Sequence, residues 1–260
     1  MSAGAGSASD LPDADAHVFV ADLEAPRFDD GDRHHLMQVL RLRPGQMVDA
    51  ADGGGRIRRC RLGRHGDLEP CDPVVEVPTP EPALTVAVAL TKGARPEVAV
   101  QKLTELGVDR IVPFVAARSV VRWEGERAVH HHRRLLRVAR EAAMQSRRAH
   151  LPRVEEIGDF LTASSLPGAA LCERGGRPPS LSDRAVLVGP EGGWAAAELA
   201  AGLPTVGLGP QVLRAETAAI AVATLLVGLR AGTVAPADDA GGGAATTGGA
   251  RSIAPRGGGA

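Results

Sequence analysis

The sequence predicts an α/β protein in which a largely parallel sheet follows a small β-barrel or sandwich. In the first third of the chain, short apolar segments are separated by turns; afterwards, apolar runs alternate with helical patterns. A third observation is a pair of glycine-proline loops that interrupt the apolar runs between Val186 and Leu226. Glycine and proline just after a buried strand let the backbone turn sharply and approach a ligand. We therefore expect a ligand pocket at the edge where these parallel strands end.

The N-terminal part predicts a leader followed by a small β domain. Residues 1–16 are rich in Ser, Ala, Gly and Asp, which predicts a disordered leader, and they lack the basic start and apolar centre of a signal peptide. Residues 17–78 contain a helical pattern over Arg33–Leu42, and Asp52–Gly55 is a hairpin signal. Strands are predicted over His17–Ala21, Gln46–Ala51, Ile57–Leu62 and Val74–Val77.

A proline cluster at residues 78–82 indicates a linker, after which residues 83–235 predict the α/β domain. Leu84–Leu90 is a continuous apolar run, as expected of a strand buried on both faces. Pro96 suits the first turn of a helix over Pro96–Leu106, which Gly107 caps. Further strands are predicted over Val108–Val115, Ala169–Cys172, Ala185–Val188 and Thr205–Leu208, and further helices over about Arg127–Arg148, Ala195–Ala201 and Ala215–Leu229.

The C-terminal part carries two further expectations. The last predicted helix is apolar almost all round, so it is either central in the domain or buried against another subunit. Residues 236–260 are rich in Gly, Ala and Thr and predict a disordered tail.

Composition excludes several classes of protein. The three cysteines are widely spaced and form no C-x-x-C pair, which argues against a disulfide framework or a metal site and for the reduced cytoplasm. No apolar run approaches the ~18 residues that span a bilayer. His130–His132 are consecutive, a spacing that does not place them on one helix face, and are interpreted as a solvated run.

Charge is strongly segregated although the formal net charge is only −1. Residues 118–153 contain ten arginines and three glutamates, a local net charge of +7. This segment could attract a polyanion or could be an ordinary solvated helix face, and charge alone leaves both readings open. Lys92 and Lys102 are the only lysines in an arginine-rich chain, so a compact ammonium group is either required there or present by chance.

The first glycine-proline loop, Gly189–Gly193, is neither a Walker A loop nor a dinucleotide turn. It carries Glu191 and no basic residue, which disfavours a phosphate and favours a cationic ligand with hydroxyls, such as S-adenosylmethionine. A purely structural turn is the alternative. The second loop leads into Arg214 and Glu216 at a helix start; Arg214 could bind a carboxylate or phosphate. Glu216 could relay a proton, or both residues could serve only the helix dipole.

The order and spacing of several motifs resemble the RsmE family, the bacterial small-subunit ribosomal RNA uridine N3-methyltransferases of the SPOUT superfamily. The resemblance extends from about His17 to Arg230 and rests on His34, Val39-Leu40-Arg41, Lys92-Gly93, Gln101–Val108, Gln145–Arg148, Gly189–Gly193 and Leu208–Ala218. One departure is that Met144 stands where family members often have a glutamate.

The resemblance implies a PUA-like RNA-binding barrel followed by a SPOUT domain with a deep trefoil knot, which assembles into a homodimer. It further implies S-adenosylmethionine as cofactor and 16S ribosomal RNA, or the 30S subunit, as partner. By similarity, the cofactor would contact Gly189, Glu191, Gly192, Leu208, Gly209, Val212, Leu213, Thr217 and Ala218.

The chemistry suggested by this resemblance is methyl transfer to N3 of a uridine, which requires loss of the imide proton. We hypothesise that Arg214 stabilises charge on the uracil, while Glu216 orients Arg214 or relays the proton. Candidates for holding the RNA are Arg33, His34, Arg41, Arg43, Lys92, Arg118, Arg122, Arg147 and Arg148. The alternatives are an RNA-binding or assembly factor without activity, and a SPOUT enzyme acting at another RNA site.

Overall fold

Two β-sheets, one in each predicted half of the chain, organise the protein. The computed structural model describes residues 14–28, 31, 33, 37–38, 41–93 and 95–235. The predicted C-terminal tail and most of the predicted leader therefore lie outside the described residues.

The N-terminal sheet confirms the predicted strands and the hairpin at Asp52–Gly55. Its strand order is β1-β2-β3-β4, with β5 also paired to β3; β1 and β2 are parallel and the remaining pairs antiparallel. The side chains of Val18, Val48, Cys60 and Leu62 fill its core. The strands are β1 (Ala16–Phe19), β2 (Met47–Ala51), β3 (Arg56–Leu62), β4 (Leu68–Pro70) and β5 (Val75–Glu76).

Two predictions for this half need correction. Ala16 begins β1, and Asp15 just before it donates its N–H to Met47 O (2.8 Å), so residues 14–16 are not part of a disordered leader. The Asp15 carboxylate accepts hydrogen bonds from Gln46 Nε2 (2.7 Å) and Met47 N (2.8 Å), and these bonds lower its pKa. The predicted helix does not reach Leu42, because Arg41 has a positive φ of 53° and neither residue is helical.

The second sheet contains seven strands, all parallel, in the order β12-β10-β11-β6-β7-β8. β9 pairs with the end of β7, whose start pairs with β8. The strands are β6 (Thr85–Ala89), β7 (Arg110–Val115), β8 (Arg153–Val154), β9 (Gly158–Asp159), β10 (Ala169–Arg177), β11 (Ala185–Val188) and β12 (Thr205–Val206).

Helices cover both faces of this sheet, and the side chains of β6 alternate between the two cores. Val86 and Val88 pack with the residues of α1, α2 and α5, whereas Ala87 and Ala89 pack with α3 and Trp194 on the opposite face. This arrangement explains the uninterrupted apolar run of β6. The helices are α1 (Arg95–Leu106), α2 (Gly125–Gln145), α3 (Phe160–Ser164), α4 (Ala196–Leu199) and α5 (Ala215–Arg230).

The basic helix α2 ends earlier than predicted. Its last helical residue is Gln145, and Arg147 adopts a positive φ of 56°, which turns the chain out of the helix. Arg147 and Arg148 therefore follow the helix instead of forming its last turn.

The two halves are joined by contacts between the N-terminal sheet and the segment at the end of α2. The Arg140 guanidinium donates to the Phe19 carbonyl (2.9 Å) and lies 5.5 Å from the centre of the Phe19 ring. His150 Nε2 lies 2.9 Å from the Val77 carbonyl oxygen, and His150 forms a β-bridge with Gly53. These contacts fix the position of the N-terminal sheet relative to the α/β domain.

Candidate functional site

A pocket of about 300 Å³ lies at the carboxyl edge of the parallel sheet. The loops after β11 and β12 both line it, as the two glycine-proline motifs predict. Residues of β10 complete the wall, a contribution that the sequence prediction missed. The lining consists of Cys172, Glu173, Arg174, Val188, Gly189, Pro190, Glu191, Gly193, Trp194, Leu208, Gly209, Gln211, Val212, Leu213, Ala215 and Ala218.

Trp194 holds the first loop against the sheet. Its indole Nε1 donates to the Cys172 carbonyl (3.0 Å), and its ring packs against those of Phe114 and Phe160. A Cβ on Gly189 would lie 3.0 Å from the Trp194 ring, so a larger residue would require that ring to shift. The chain contains only two tryptophans, and Trp194 directly after the loop is a signal that could have been read.

The second loop is held in place by the extended end of β10. A Cβ on Gly207 would lie 2.5 Å from the Gly176 carbonyl oxygen, and the Gly207 N–H donates to Arg177 O (2.8 Å). Backbone atoms cannot move aside as a side chain can, so this crossing requires glycine. Burial raises the pKa of the nearby Cys172 thiol to about 11, which keeps that thiol neutral.

The predicted cofactor residues are mostly brought together. Gly189, Glu191, Leu208, Gly209, Val212, Leu213 and Ala218 line the pocket. Gly192 and Thr217 do not line it. The Gly192 carbonyl accepts a hydrogen bond from Arg118 Nη1 (3.2 Å), and Thr217 is exposed on α5.

Three charged side chains meet beside the pocket. Arg95 forms an ion pair with Glu191 through Nη1, and its Nε lies 3.7 Å from Glu216 Oε1. The other carboxylate oxygen of Glu216, Oε2, is buried without a hydrogen-bond partner. The sequence prediction did not include Arg95. Because Arg95 pairs with Glu191, the negative charge of Glu191 does not face the pocket alone.

Arg214 is exposed at the residue that precedes α5. Its main-chain carbonyl accepts from Ala218 N (2.8 Å), whereas its guanidinium has no hydrogen bond or ion pair to the described residues. The structure therefore pairs Glu216 with Arg95 and not with Arg214, contrary to the orienting role predicted for that carboxylate.

Most candidates for RNA contact are exposed. Arg33 Nη2 donates to the His65 carbonyl (2.5 Å), and Arg118 is partly engaged with the pocket loop. His34 lies outside the described residues. The other exposed candidates are Arg41, Arg43, Lys92, Arg122 and Arg147.

Arg148 is the exception, because its side chain is largely buried and bound to the main chain. Its side chain is only 12% exposed, and Nη1 donates to the carbonyls of Thr104 (2.8 Å) and Val108 (2.9 Å). These carbonyls lie at and just after the C-terminal turn of α1, where the Thr104 oxygen also accepts from Gly107 N (3.1 Å). Burial lowers the pKa of Arg148, which the Asp109 carboxylate partly offsets.

The interpretation of His130–His132 as solvated also needs correction. The His131 ring stacks on Trp123 with 3.9 Å between ring centres, and its pKa is lowered by burial. His132 Nε2 lies 3.0 Å from the Val154 carbonyl oxygen. Only His130 is exposed, so two of the three rings pack α2 against the domain.

No cluster of three or more His, Cys, Asp or Glu side chains among the described residues has an arrangement suited to a metal ion. No helix within the described ranges combines the length and apolarity needed to cross a bilayer.

Both halves of the chain match families of known proteins. Residues 79–227 match the family described as RNA methyltransferase domain, and residues 28–66 match the RNA methyltransferase PUA domain. Ribosomal RNA small subunit methyltransferase E of Mycobacterium tuberculosis is 38% identical over 223 residues, covering 77% of this chain and 85% of the relative. The protein of that name from Bacillus subtilis is 32% identical over 224 residues, covering 75% and 87%.

Solved structures match over a similar extent. A ribosomal RNA small subunit methyltransferase E from Neisseria gonorrhoeae, bound to S-adenosyl methionine, has a TM-score of 0.68 and 27% identity, covering 82% of this chain and 97% of that one. A methyltransferase from Legionella pneumophila in complex with the same cofactor has a TM-score of 0.70 at 24% identity, covering 81% and 96%.

Proposed function

The chain belongs to the ribosomal RNA small subunit methyltransferase E family, and we propose that it transfers the methyl group of S-adenosylmethionine to N3 of a uridine in 16S ribosomal RNA. The observation that carries this proposal is the pocket itself, in which both motif loops meet at the carboxyl edge of the parallel sheet.

The pocket suits this cofactor. Its volume of about 300 Å³ lies at the lower end of the range for small-molecule sites. Apolar groups of Val188, Trp194, Leu213 and Ala218 line it together with the main chain of two glycine-rich loops, and neither loop has the sequence of a phosphate cradle. When bound, the cofactor supplies an electrophilic methyl group on its sulfonium.

The residues at the start of α5 would handle the charge on the uracil. N3 becomes nucleophilic as its proton leaves, and negative charge then develops on the neighbouring carbonyl oxygens. Arg214 is exposed beside pocket residue Leu213 and has no partner among the described residues, so its guanidinium is available to stabilise that charge. Glu216 Oε2 lacks a hydrogen-bond donor and is the candidate to relay the proton.

The RNA would bind across both halves of the molecule. Arg41 and Arg43 on the N-terminal half, and Lys92, Arg118 and Arg122 in the loops after β6 and β7, offer exposed positive groups for phosphates. A uridine within folded ribosomal RNA would also have to leave its stack to reach the pocket. The cytoplasm, where ribosomal RNA is found, is the proposed location.

We further propose that the domain is a homodimer with a trefoil knot. In support of the knot, the chain leaves the sheet at β11, returns at the outer edge as β12 and then packs α5 against β6 and β11. In support of the dimer, α5 keeps an apolar outer face that includes the half-buried side chains of Ile220 and Leu225. Light scattering should give twice the chain mass of 26.8 kDa; a mass of one chain would refute the dimer.

The experiment for the reaction uses purified protein, small ribosomal subunits that lack the modification, and radiolabelled S-adenosylmethionine. We expect transfer by the wild type and a loss of at least about 10²-fold in rate for Arg214→Ala, with cofactor binding retained. Arg184→Ala, which changes an exposed arginine at the opposite edge of the sheet, is the control. Unchanged transfer by Arg214→Ala would remove Arg214 from the mechanism.

A further inference from the structure

Arg95 connects three parts of the chain that meet at the pocket. It is the first residue of α1, its ion pair with Glu191 reaches the loop after β11, and its Nε lies 3.7 Å from Glu216 at the start of α5. In the sequence, Arg95 is 96 positions from Glu191 and 121 positions from Glu216. No short-range motif identifies such a cluster.

The electrostatics of this cluster favour a fixed geometry. One guanidinium faces two carboxylates, and a guanidinium can donate five hydrogen bonds in a planar fork. The side chains of Arg95 and Glu191 are 36% and 40% exposed, whereas that of Glu216 is 16% exposed. The less exposed carboxylate lies on a helix packed against the sheet, and the more exposed one lies on the pocket loop. Arg95 therefore links the pocket loop to a helix that packs against the sheet.

We propose that Arg95 is a positioning residue for the cofactor: it holds the Glu191-bearing loop over the pocket, with Glu216 as its second anchor. This inference rests on the proposed function, since it concerns the same pocket. In this proposal, the Glu191 carboxylate mainly pairs with Arg95 and does not mainly contact the cofactor sulfonium. Arg95 acts on the cofactor through Glu191. It contacts Glu216 at Oε1 and leaves Oε2, the oxygen proposed to relay the proton, without a hydrogen bond.

The test measures cofactor binding directly, by titration calorimetry of S-adenosylmethionine into the full-length protein without RNA. We expect Arg95→Met to raise the Kd about fivefold, the loss typical of one partly exposed ion pair. Arg95→Lys, which keeps a positive charge at this position, should recover most of the affinity. In the methylation assay, Arg95→Met should raise the KM for the cofactor by a similar factor and change kcat little.

A double-mutant cycle shows whether Arg95 acts through Glu191. Glu191→Gln should weaken binding about as much as Arg95→Met, and the double variant no more than either alone. Arg110→Met is the matched control, because Arg110 is 37% exposed and pairs with Glu155 (2.7 Å). Arg110 lies at the amino end of β7, whereas the pocket lies at the carboxyl edge of the sheet. This control should leave the Kd unchanged.

The outcomes separate this inference from the proposed function. If the wild type binds the cofactor and Arg95→Met binds it equally well, the role of Arg95 is overturned and the proposed function is not. The same conclusion follows if the effects of the two substitutions multiply in the double variant. Binding with the predicted losses but without RNA methylation would overturn the proposed reaction and support Arg95 as a positioning residue. A wild type that does not bind S-adenosylmethionine would overturn both.

Discussion

Replacing Arg148 by methionine should destabilise the protein without weakening its affinity for RNA. The side chain is 12% exposed and donates to two main-chain carbonyls, those of Thr104 and Val108. Methionine keeps the apolar stem but donates no hydrogen bond, so both carbonyls lose this donor. The sequence motif that contains Arg148 suggested an RNA contact, and the two roles predict opposite results.

The magnitude follows from the two hydrogen bonds. A bond to a charged donor contributes about 1.5 kcal/mol at the lower end of its range, so the loss is about 3 kcal/mol in the free energy of unfolding. The Asp109 carboxylate, 4.0 Å from Arg148, keeps its ion pair with Arg230 and limits any further loss. For a domain of this size, about 3 kcal/mol lowers the Tm by roughly 6–12 °C.

Thermal unfolding measured by circular dichroism, and RNA binding measured by fluorescence anisotropy well below the Tm, would separate the two roles. Arg122→Met provides the control, because Arg122 is exposed. It should leave the Tm unchanged and weaken RNA binding, with a smaller dependence on salt. If Arg148→Met kept its Tm and lost RNA affinity, the structural role assigned to Arg148 would be refuted.

Three further changes test the site and the N-terminal sheet. Gly207→Ala should abolish cofactor binding in calorimetry, because the added Cβ would lie 2.5 Å from the Gly176 carbonyl oxygen. Gly54→Ala is the control and should leave binding unchanged, since no atom lies closer than 3.5 Å to its added Cβ. Trp194→Leu should weaken cofactor binding at least about tenfold, since the first loop loses its packing and a hydrogen bond; unchanged affinity would contradict this. Burial lowers the pKa of His17 to about 4, from 6.5 in the unfolded chain. The unfolded state therefore binds more protons between pH 6.5 and 4, and stability should fall by up to roughly 3 kcal/mol across that range. Urea unfolding of His17→Gln should show a smaller fall, and an identical pH dependence would contradict the account.

Periodicity and turn residues were sufficient to predict most of the fold. The apolar run of β6, the cap at Gly107 and the hairpin at Asp52–Gly55 each produce a local pattern, and the structure has the elements they predict. β8 and β9 were missed because each has only two residues and neither lies in an apolar run: β8 is Arg153–Val154 and β9 is Gly158–Asp159. The extension of β10 to Arg177 was missed because its glycines at 175 and 176 are unfavourable in strands.

The candidate site was predicted in part. The two loops carry glycine and proline at positions where the backbone must turn, so their meeting at one sheet edge could be inferred from the chain alone. The α/β SPOUT class and the PUA domain that the resemblance implied are confirmed by the family match and the solved structures. The partner of Glu216 could not be inferred, because Arg95 reaches it across 121 residues of sequence. The burial of Arg148 was missed for a similar reason, since its partners lie on α1.

The product of the reaction tests the central proposal most directly. Small ribosomal subunits lacking the modification would be incubated with the protein and S-adenosylmethionine carrying a deuterated methyl group, and their RNA would be digested for nucleoside mass spectrometry. The account predicts one deuterated methyl group on N3 of a uridine at a single position in 16S ribosomal RNA, and none with Gly207→Ala. A methyl group on another atom or base, or no transfer by a protein that binds the cofactor, would contradict it.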